Sequence, residues 1–176
     1  MVKGLEGHLG SICPVNIVAY LLTKLRSACF LMRRLYYILY TDSLKIVYFT
    51  HFLSIVKYGI IFWGNQRDVN KLFILQKRVL RIMIGLDYRS LCMAWFKQLE
   101  ILTVPCLYIL SMAMFVICNS SHFKTNFSVY SKLTRQKNQI HKPLVKYTSI
   151  QSGITYSAFK VFNKLSLDIV NMAKYR

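Results

Sequence analysis

Residues 58–83 read YGIIFWGNQRDVNKLFILQKRVLRIM and join an aromatic turn to a basic amphipathic helix. With about 100° of rotation per residue, one side collects Val69, Leu72, Phe73, Val79, Leu80 and Met83, and the other collects Lys71, Arg78 and Arg81. Asp68 is a possible cap for this helix, and Gly85 stands where a terminating glycine is common. The stretch therefore predicts a helix over residues 69–84 with one buried and one basic face.

Two further helices are predicted upstream. From residue 14 to 39, steps of three and four separate a series of apolar residues, as one face of a helix requires: Val15, Val18, Leu22, Leu25, Cys29, Met32, Tyr36 and Leu39. A second helix is expected over residues 42–57, stopped by Gly59. Because only a short link separates the two helices, they are expected to form an antiparallel hairpin.

Downstream, helical spacing predicts a short helix over residues 90–99 and another that begins near residue 103 and continues to 118. Periodicity then fades, and residues 119–148 are expected to be extended or loosely ordered. One weak helix is expected near Tyr156. The predicted fold is mainly α, with a helical bundle over residues 1–118 and a basic, partly irregular C-terminal segment over 119–176.

The charge of the chain points to an anionic partner. The 176 residues contain 24 Lys and Arg against six Asp and Glu, which gives a formal net charge of +18. Residues 123–176 contribute ten of these cations and the single acid Asp168. Such a charge attracts polyanions, namely nucleic acids or anionic membrane surfaces.

The residues that common catalytic sites need are missing. Two-metal nucleotidyl transfer requires clustered carboxylates that hold ions about 4 Å apart, and no two acids of this chain are neighbours. The four histidines show no HExxH or other ligand-like spacing, and no phosphate-cradling glycine motif is present. The sequence therefore favours binding over catalysis, with no cofactor and no small-molecule substrate.

Several motifs occur together in a characteristic order. They are the aromatic turn Tyr58-Gly59-Ile60-Ile61-Phe62-Trp63-Gly64-Asn65, the helix motif Leu75-Gln76-Lys77-Arg78, the segment Phe96-Lys97-Gln98-Leu99-Glu100-Ile101-Leu102-Thr103-Val104-Pro105, and the downstream Gly153-Ile154-Thr155-Tyr156-Ser157. In type and order they resemble the C-terminal, thumb and post-thumb part of the reverse transcriptase of jockey-type non-LTR retrotransposons. The aromatic-Ala-Asp-Asp turn of that family is absent, so the resemblance is to a truncated copy that lacks the palm.

The resemblance implies a helical, thumb-like region that contacts the template-primer duplex through backbone phosphates. The implied nonspecific contacts to RNA or DNA are made by Lys24, Arg26, Arg33, Lys71, Arg78 and Arg81, and more loosely by Arg135, Lys137 and Lys142. The parent family is an RNA-directed DNA polymerase, but this chain is expected to be a non-catalytic remnant. Mg²⁺ would belong to the missing palm, and a polymerase palm domain is the other implied partner.

Alternative interpretations remain for three features. The uncharged run over residues 101–118 approaches the ~20 residues of a membrane span, which makes a small basic integral membrane protein the alternative function. The basic face of the third helix could be merely a solvated surface. Tyr58, Phe62 and Trp63 are interpreted as core residues rather than as a base-stacking platform.

Without a signal-peptide pattern, an intracellular location in the nucleus or cytoplasm is expected rather than secretion.

Overall fold

A computed structural model describes residues 14–165 of the chain. The helices are α1 (Pro14–Tyr36), α2 (Thr41–Val47), α3 (Ser54–Lys57), α4 (Ile60–Trp63), α5 (Val69–Ile84), α6 (Met93–Gln98), α7 (Val104–Cys118), α8 (Asn126–Tyr130), α9 (Thr148–Gln151) and α10 (Ile154–Phe162). A π-helical segment, Tyr48–Leu53, lies between α2 and α3, and a 3₁₀ turn, Ser120–His122, follows α7. The mainly α fold predicted from the sequence is confirmed.

The chain divides into two compact units, Met1–Leu107 and Tyr108–Arg176. The division falls within α7, whereas the sequence predicted a division after residue 118. In the described part of the second unit, α8, α9 and α10 are separated by irregular segments. This arrangement agrees with the loss of periodicity after residue 118.

The first unit is built around the packing of α1 against α5. The buried face of α1 is formed by Val18, Leu21, Leu25, Ala28, Cys29 and Met32. On α5 the buried residues are Val69, Leu72, Leu75, Gln76, Val79, Leu80 and Met83. Both sets recur at the three- and four-residue spacing that places side chains on one helical face. The two apolar faces cover each other and form the core of this unit.

Four local expectations are wrong. Helix α1 ends at Tyr36 rather than at residue 39. The expected single helix over 42–57 contains the wide π-helical turns of Tyr48–Leu53. Asp68 occupies the N-cap position of α5, but its backbone has helical dihedral angles and its side chain makes no capping hydrogen bond; one carboxylate oxygen is instead paired with the Nζ of Lys71 at 2.7 Å.

The fourth wrong expectation concerns the aromatic turn. Trp63 is only 1% exposed, as expected of a core residue, but Tyr58 is 62% exposed and Phe62 is 42% exposed. The Trp63 Nε1–H donates to the carbonyl oxygen of Tyr58 at 3.0 Å. This bond ties the buried ring to the start of the turn, and the other two aromatic rings are left at the surface.

A buried glutamine joins three segments of the first unit. Gln76 is fully buried, and its Nε2 donates to the Tyr48 hydroxyl and to the Leu102 carbonyl, each at 2.8 Å. Its Oε1 accepts from the Val104 backbone N–H at 2.9 Å. Burial raises the pKa of Tyr48 to about 12, against a smaller lowering by the hydrogen bond from Gln76. A single amide therefore links α5 to the π-helical segment and to the start of α7.

Gly85 ends α5 in the left-handed conformation, with φ of 71°. A Cβ at this position would overlap the Tyr36 hydroxyl and lie 3.2 Å from its Cζ. Gly59 has a similar φ of 61°, but a Cβ there would meet only Phe62, at 3.6 Å. The two glycines therefore share the backbone requirement and differ in the space around them.

Gly85→Ala is expected to lower the free energy of unfolding by about 2 kcal/mol, and Gly59→Ala by about 1 kcal/mol. Both substitutions place a Cβ in the left-handed region, and the first also forces Tyr36 to move. Urea unfolding followed by far-UV circular dichroism measures both losses. Equal losses would contradict a close approach of Tyr36 to Gly85.

Candidate nucleic-acid interface

Three arginines of the first unit line one cavity of about 220 Å³. Arg33 lies in the last turn of α1, and Arg78 and Arg81 lie on α5. Residues three apart on a helix share a face, so the two α5 side chains are neighbours. The packing of α1 on α5 places Arg33 beside them. The cavity lined by these three arginines is called the arginine pocket.

The arginine pocket is completed by the chain that follows α5. Its other lining residues are Ile82, Leu86 and Tyr88. Gly85 reverses the chain, and the backbone N–H of Leu86 donates to the carbonyl oxygen of Arg81 at 2.9 Å. This closure is typical of a helix that ends at a left-handed glycine. It returns Tyr88, which is 69% exposed, to the rim of the pocket.

Arg81 has a defined orientation within the pocket. Its Nε–H donates to the carbonyl oxygen of Ser90 at 3.0 Å, and its side chain is partly buried. The bond uses one of the five N–H donors of the guanidinium, so four remain for a ligand. Such anchoring lowers the conformational entropy that an arginine loses when it binds an anion.

No ion pair offsets the positive charge of the pocket in the described part of the chain. Within residues 14–165, none of its three arginines forms an ion pair with a carboxylate. The charges of Arg78 and Arg33 also act on the Cys29 thiol of α1. Burial raises the pKa of that thiol, and the two guanidinium groups lower it by a smaller amount. The pocket is thus a concentrated cationic site suited to an anion.

The other predicted contacts in the first unit lie outside this pocket. Lys71 is two helical turns before Arg78 and is already paired with Asp68. Lys24 is exposed on α1, with its Nζ 5.6 Å from the ring centroid of Tyr20. Arg26 is exposed on the same helix. Of the six residues predicted here, the structure brings together Arg33, Arg78 and Arg81.

The three predicted contacts in the second unit are also exposed. Arg135 and Lys137 lie in an irregular turn after α8. Lys142 places its Nζ 4.8 Å from the ring centroid of Tyr156. They belong to a separate unit and form no part of the arginine pocket.

Tyr88 and Ser90 also belong to the site, although neither is among the residues predicted from the sequence. Tyr88 belongs to no periodic pattern, and Ser90 was expected to begin a helix over residues 90–99, whereas the helix observed there, α6, begins only at Met93. Their only local signal is their distance from Gly85, because a chain that reverses at a glycine returns along the turn it has just left.

The described part of the chain offers no alternative metal centre or membrane span. Across residues 14–165, no three His, Cys, Asp or Glu side chains are grouped so that they could hold a metal ion. The uncharged segment near 101–118 forms α7, a helix of 15 residues. No helix in the same described range has both the length and the apolar character needed to cross a bilayer.

The arginine pocket can therefore act as a receptor for an anionic oxygen group. Guanidinium groups fit phosphate and carboxylate oxygens through paired N–H donors. Comparison of the chain with protein-family models, with curated proteins and with solved structures gives no match.

Proposed function

We propose that the chain binds the phosphate backbone of RNA or DNA as a non-catalytic, thumb-like remnant of a jockey-type RNA-directed DNA polymerase. The observation that carries this proposal is the arginine pocket, in which three arginines converge without an acidic partner in the described residues. The order of the sequence motifs supports the family origin. The mainly helical fold is compatible with it.

Phosphate fits the pocket better than other anions when the whole chain is considered. A formal charge of +18 favours a polyanion over a single small anion. Arginine pairs bind phosphate oxygens at defined angles whatever the base sequence is. Tyr88 on the rim offers an aromatic surface to a sugar or base beside the bound phosphate. Binding is therefore proposed to be nonspecific.

In this proposal the chemistry of polymerisation lies elsewhere. The chain has no paired carboxylates for two metal ions, so its role is to hold the duplex rather than to extend it. A palm domain that carries the catalytic aspartates is the proposed protein partner. Mg²⁺ would be bound by that domain.

Titration of the full chain onto an RNA–DNA hybrid at several salt concentrations tests the proposal. The logarithm of the association constant should fall linearly with the logarithm of the salt concentration, because bound cations release counterions. No binding at low salt, or binding that salt does not weaken, would contradict the proposal.

Arg78→Ala is expected to weaken binding to the hybrid about tenfold and to reduce the salt slope by about one. Arg67→Ala is the matched control, because Arg67 is exposed and does not line the pocket. Its effect should be about twofold or less. Fluorescence anisotropy with both proteins measures the difference. Equal weakening by the two substitutions would show that diffuse charge, and not the arginine pocket, holds the hybrid.

A further inference from the structure

The second unit contains a loop that is closed at its base. Thr125 and Ile140 form an isolated antiparallel β-bridge. Beside it, the backbone N–H of Asn126 donates to the carbonyl oxygen of Gln139 at 2.9 Å. The Asn126 side chain also donates to the Gln136 carbonyl at 3.0 Å. Residues 125–140 therefore form a compact loop with a hydrogen-bonded neck.

Asn163 attaches this loop to the end of α10. Its Nδ2 donates to the carbonyl oxygen of Ile140, and its Oδ1 accepts from the Ile140 backbone N–H, both at 2.9 Å. The Ile140 side chain is 5% exposed. A side chain that satisfies both backbone groups of one residue holds that residue in a fixed register. The neck is thus anchored to a helix.

A cavity of about 540 Å³ opens over this neck. Its volume lies within the range of small-molecule sites, about 300–1,000 Å³. Its lining includes an aromatic phenol, an imidazole, two ammonium groups and carboxamides, contributed by Tyr130, His141, Lys132, Lys142, Gln136 and Gln139. This cavity is called the loop cleft.

The charged residues of the loop cleft favour an anionic ligand over a cationic one. The sequence contains no Asp or Glu between Glu100 and Asp168, so Lys132 and Lys142 have no acidic neighbour in the described part of their unit. Lys142 and Lys160 each place Nζ 4.8 Å from the centroid of the Tyr156 ring. Lys160 and Tyr156 do not line the cleft, but the charge of Lys160 beside Lys142 adds to the attraction for phosphate.

The other groups of the cleft suit a base. The rings of Tyr130 and His141 meet edge to face, with centroids 5.2 Å apart and planes at 76°. An edge-to-face pair leaves one ring face available for stacking, and Tyr130 is 57% exposed. Within residues 14–165, the side-chain amides of Gln136 and Gln139 make no hydrogen bond. Free amides can pair with the donor and acceptor groups of a base edge.

We propose that the loop cleft binds one unpaired nucleotide of a single-stranded nucleic acid. The base stacks on the exposed ring of Tyr130 beside His141, the amides of Gln136 and Gln139 contact its edge, and Lys132 contacts the adjoining phosphate. A base within a duplex is stacked between its neighbours, so its face is not accessible to Tyr130 and the cleft discriminates against duplex. The site is separate from the arginine pocket and does not depend on it.

Binding of the full chain to a single strand of about 12 nucleotides, and to an RNA–DNA hybrid of equal length, tests the proposal. Tyr130→Leu should weaken binding to the single strand about tenfold and leave the hybrid affinity unchanged, since each stacked base contributes to single-strand binding only. Tyr147→Leu is the matched control, because Tyr147 is 74% exposed and does not line the cleft. Lys132→Ala should also weaken binding to the single strand. Lys146→Ala is its matched control, because Lys146 is exposed and does not line the cleft.

Photo-crosslinking of the unaltered protein with a strand that contains 4-thiouridine gives a readout that does not depend on variants. Crosslinks should map to the peptide that contains Tyr130 or His141. Equal losses for Tyr130→Leu and Tyr147→Leu, or crosslinks spread over exposed lysines outside the cleft, would overturn the proposal.

The two proposals fail separately. If the loop cleft crosslinks but Arg78→Ala leaves the affinity for the hybrid unchanged, only the role of the arginine pocket is contradicted. The opposite pattern contradicts only the role of the loop cleft. A chain that binds neither nucleic acid contradicts both.

Discussion

Gln76→Leu is expected to lower the free energy of unfolding by about 3–5 kcal/mol. Leucine has a similar volume, so the loss comes from polar groups and not from a cavity. The substitution leaves the Leu102 carbonyl and the Val104 N–H without the side-chain partner that they have in the native fold, and it also removes the bond to Tyr48. A buried polar group without a partner costs about 1–3 kcal/mol. The three losses share one side chain and need not add fully.

Urea unfolding measured by far-UV circular dichroism gives this difference, provided that the dependence on urea concentration keeps its slope. Gln98→Leu is the control, because Gln98 is exposed and the same chemical change there should alter stability by about 0.5 kcal/mol or less. Tyr48→Phe removes one bond only and should cost about 1 kcal/mol. A Gln76 variant as stable as the Gln98 variant would contradict the buried network.

Trp63→Ala is expected to lower the free energy of unfolding by about 4 kcal/mol. The side chain is 1% exposed, so its removal opens a large cavity in the first unit. It also leaves the Tyr58 carbonyl without the indole donor at 3.0 Å. Trp63→Phe should lower the free energy of unfolding by less, because an aromatic ring stays in the core, although the hydrogen bond is lost.

Phe62→Ala provides the comparison within the same turn. Phe62 is the neighbouring residue, but it is 42% exposed, so its truncation should cost about 1 kcal/mol. Thermal or urea unfolding of the two alanine variants measures the contrast. Similar losses at the two positions would mean that the burial difference between these rings is not present in solution.

Periodic patterns predicted much of the helical structure. The bounds of α5 are those expected from its apolar spacing, and Gly85 terminates it in the left-handed conformation. Four residues of the expected α1 stripe, Val18, Leu25, Cys29 and Met32, are buried. These features depend on contacts within a few turns of one helix, which a linear sequence expresses directly.

The aromatic turn and the π-helical segment could not be predicted in the same way. Tyr58, Phe62 and Trp63 are all aromatic, yet only Trp63 is buried. The burial of Trp63 depends on the path of the chain through the left-handed Gly59 and on the residues that pack around the ring, which the local sequence does not specify. The π-helical turns bring Tyr48 within reach of Gln76, 28 residues away in sequence. No local pattern in either segment predicts this contact between residues so far apart in sequence.

For the candidate sites, sequence identified residue types but not their grouping. Lys71, Arg78 and Arg81 were predicted on one face, and Arg33 on another helix. The structure joins Arg33 to Arg78 and Arg81 and leaves Lys71 with Asp68. The ion pair with Asp68 holds Lys71 apart, and the packing of α1 on α5 brings Arg33 beside Arg78 and Arg81.

By itself, the sequence determined the helical class, the buried and basic faces of α5, the cationic charge and the lack of clustered carboxylates. These properties follow from residue spacing and composition, which the linear chain contains in full. Only the tertiary structure decided that Gln76 links three segments, and that an arginine pocket and a loop cleft exist. Each of these depends on groups that are distant in sequence and that the packing of the chain brings together.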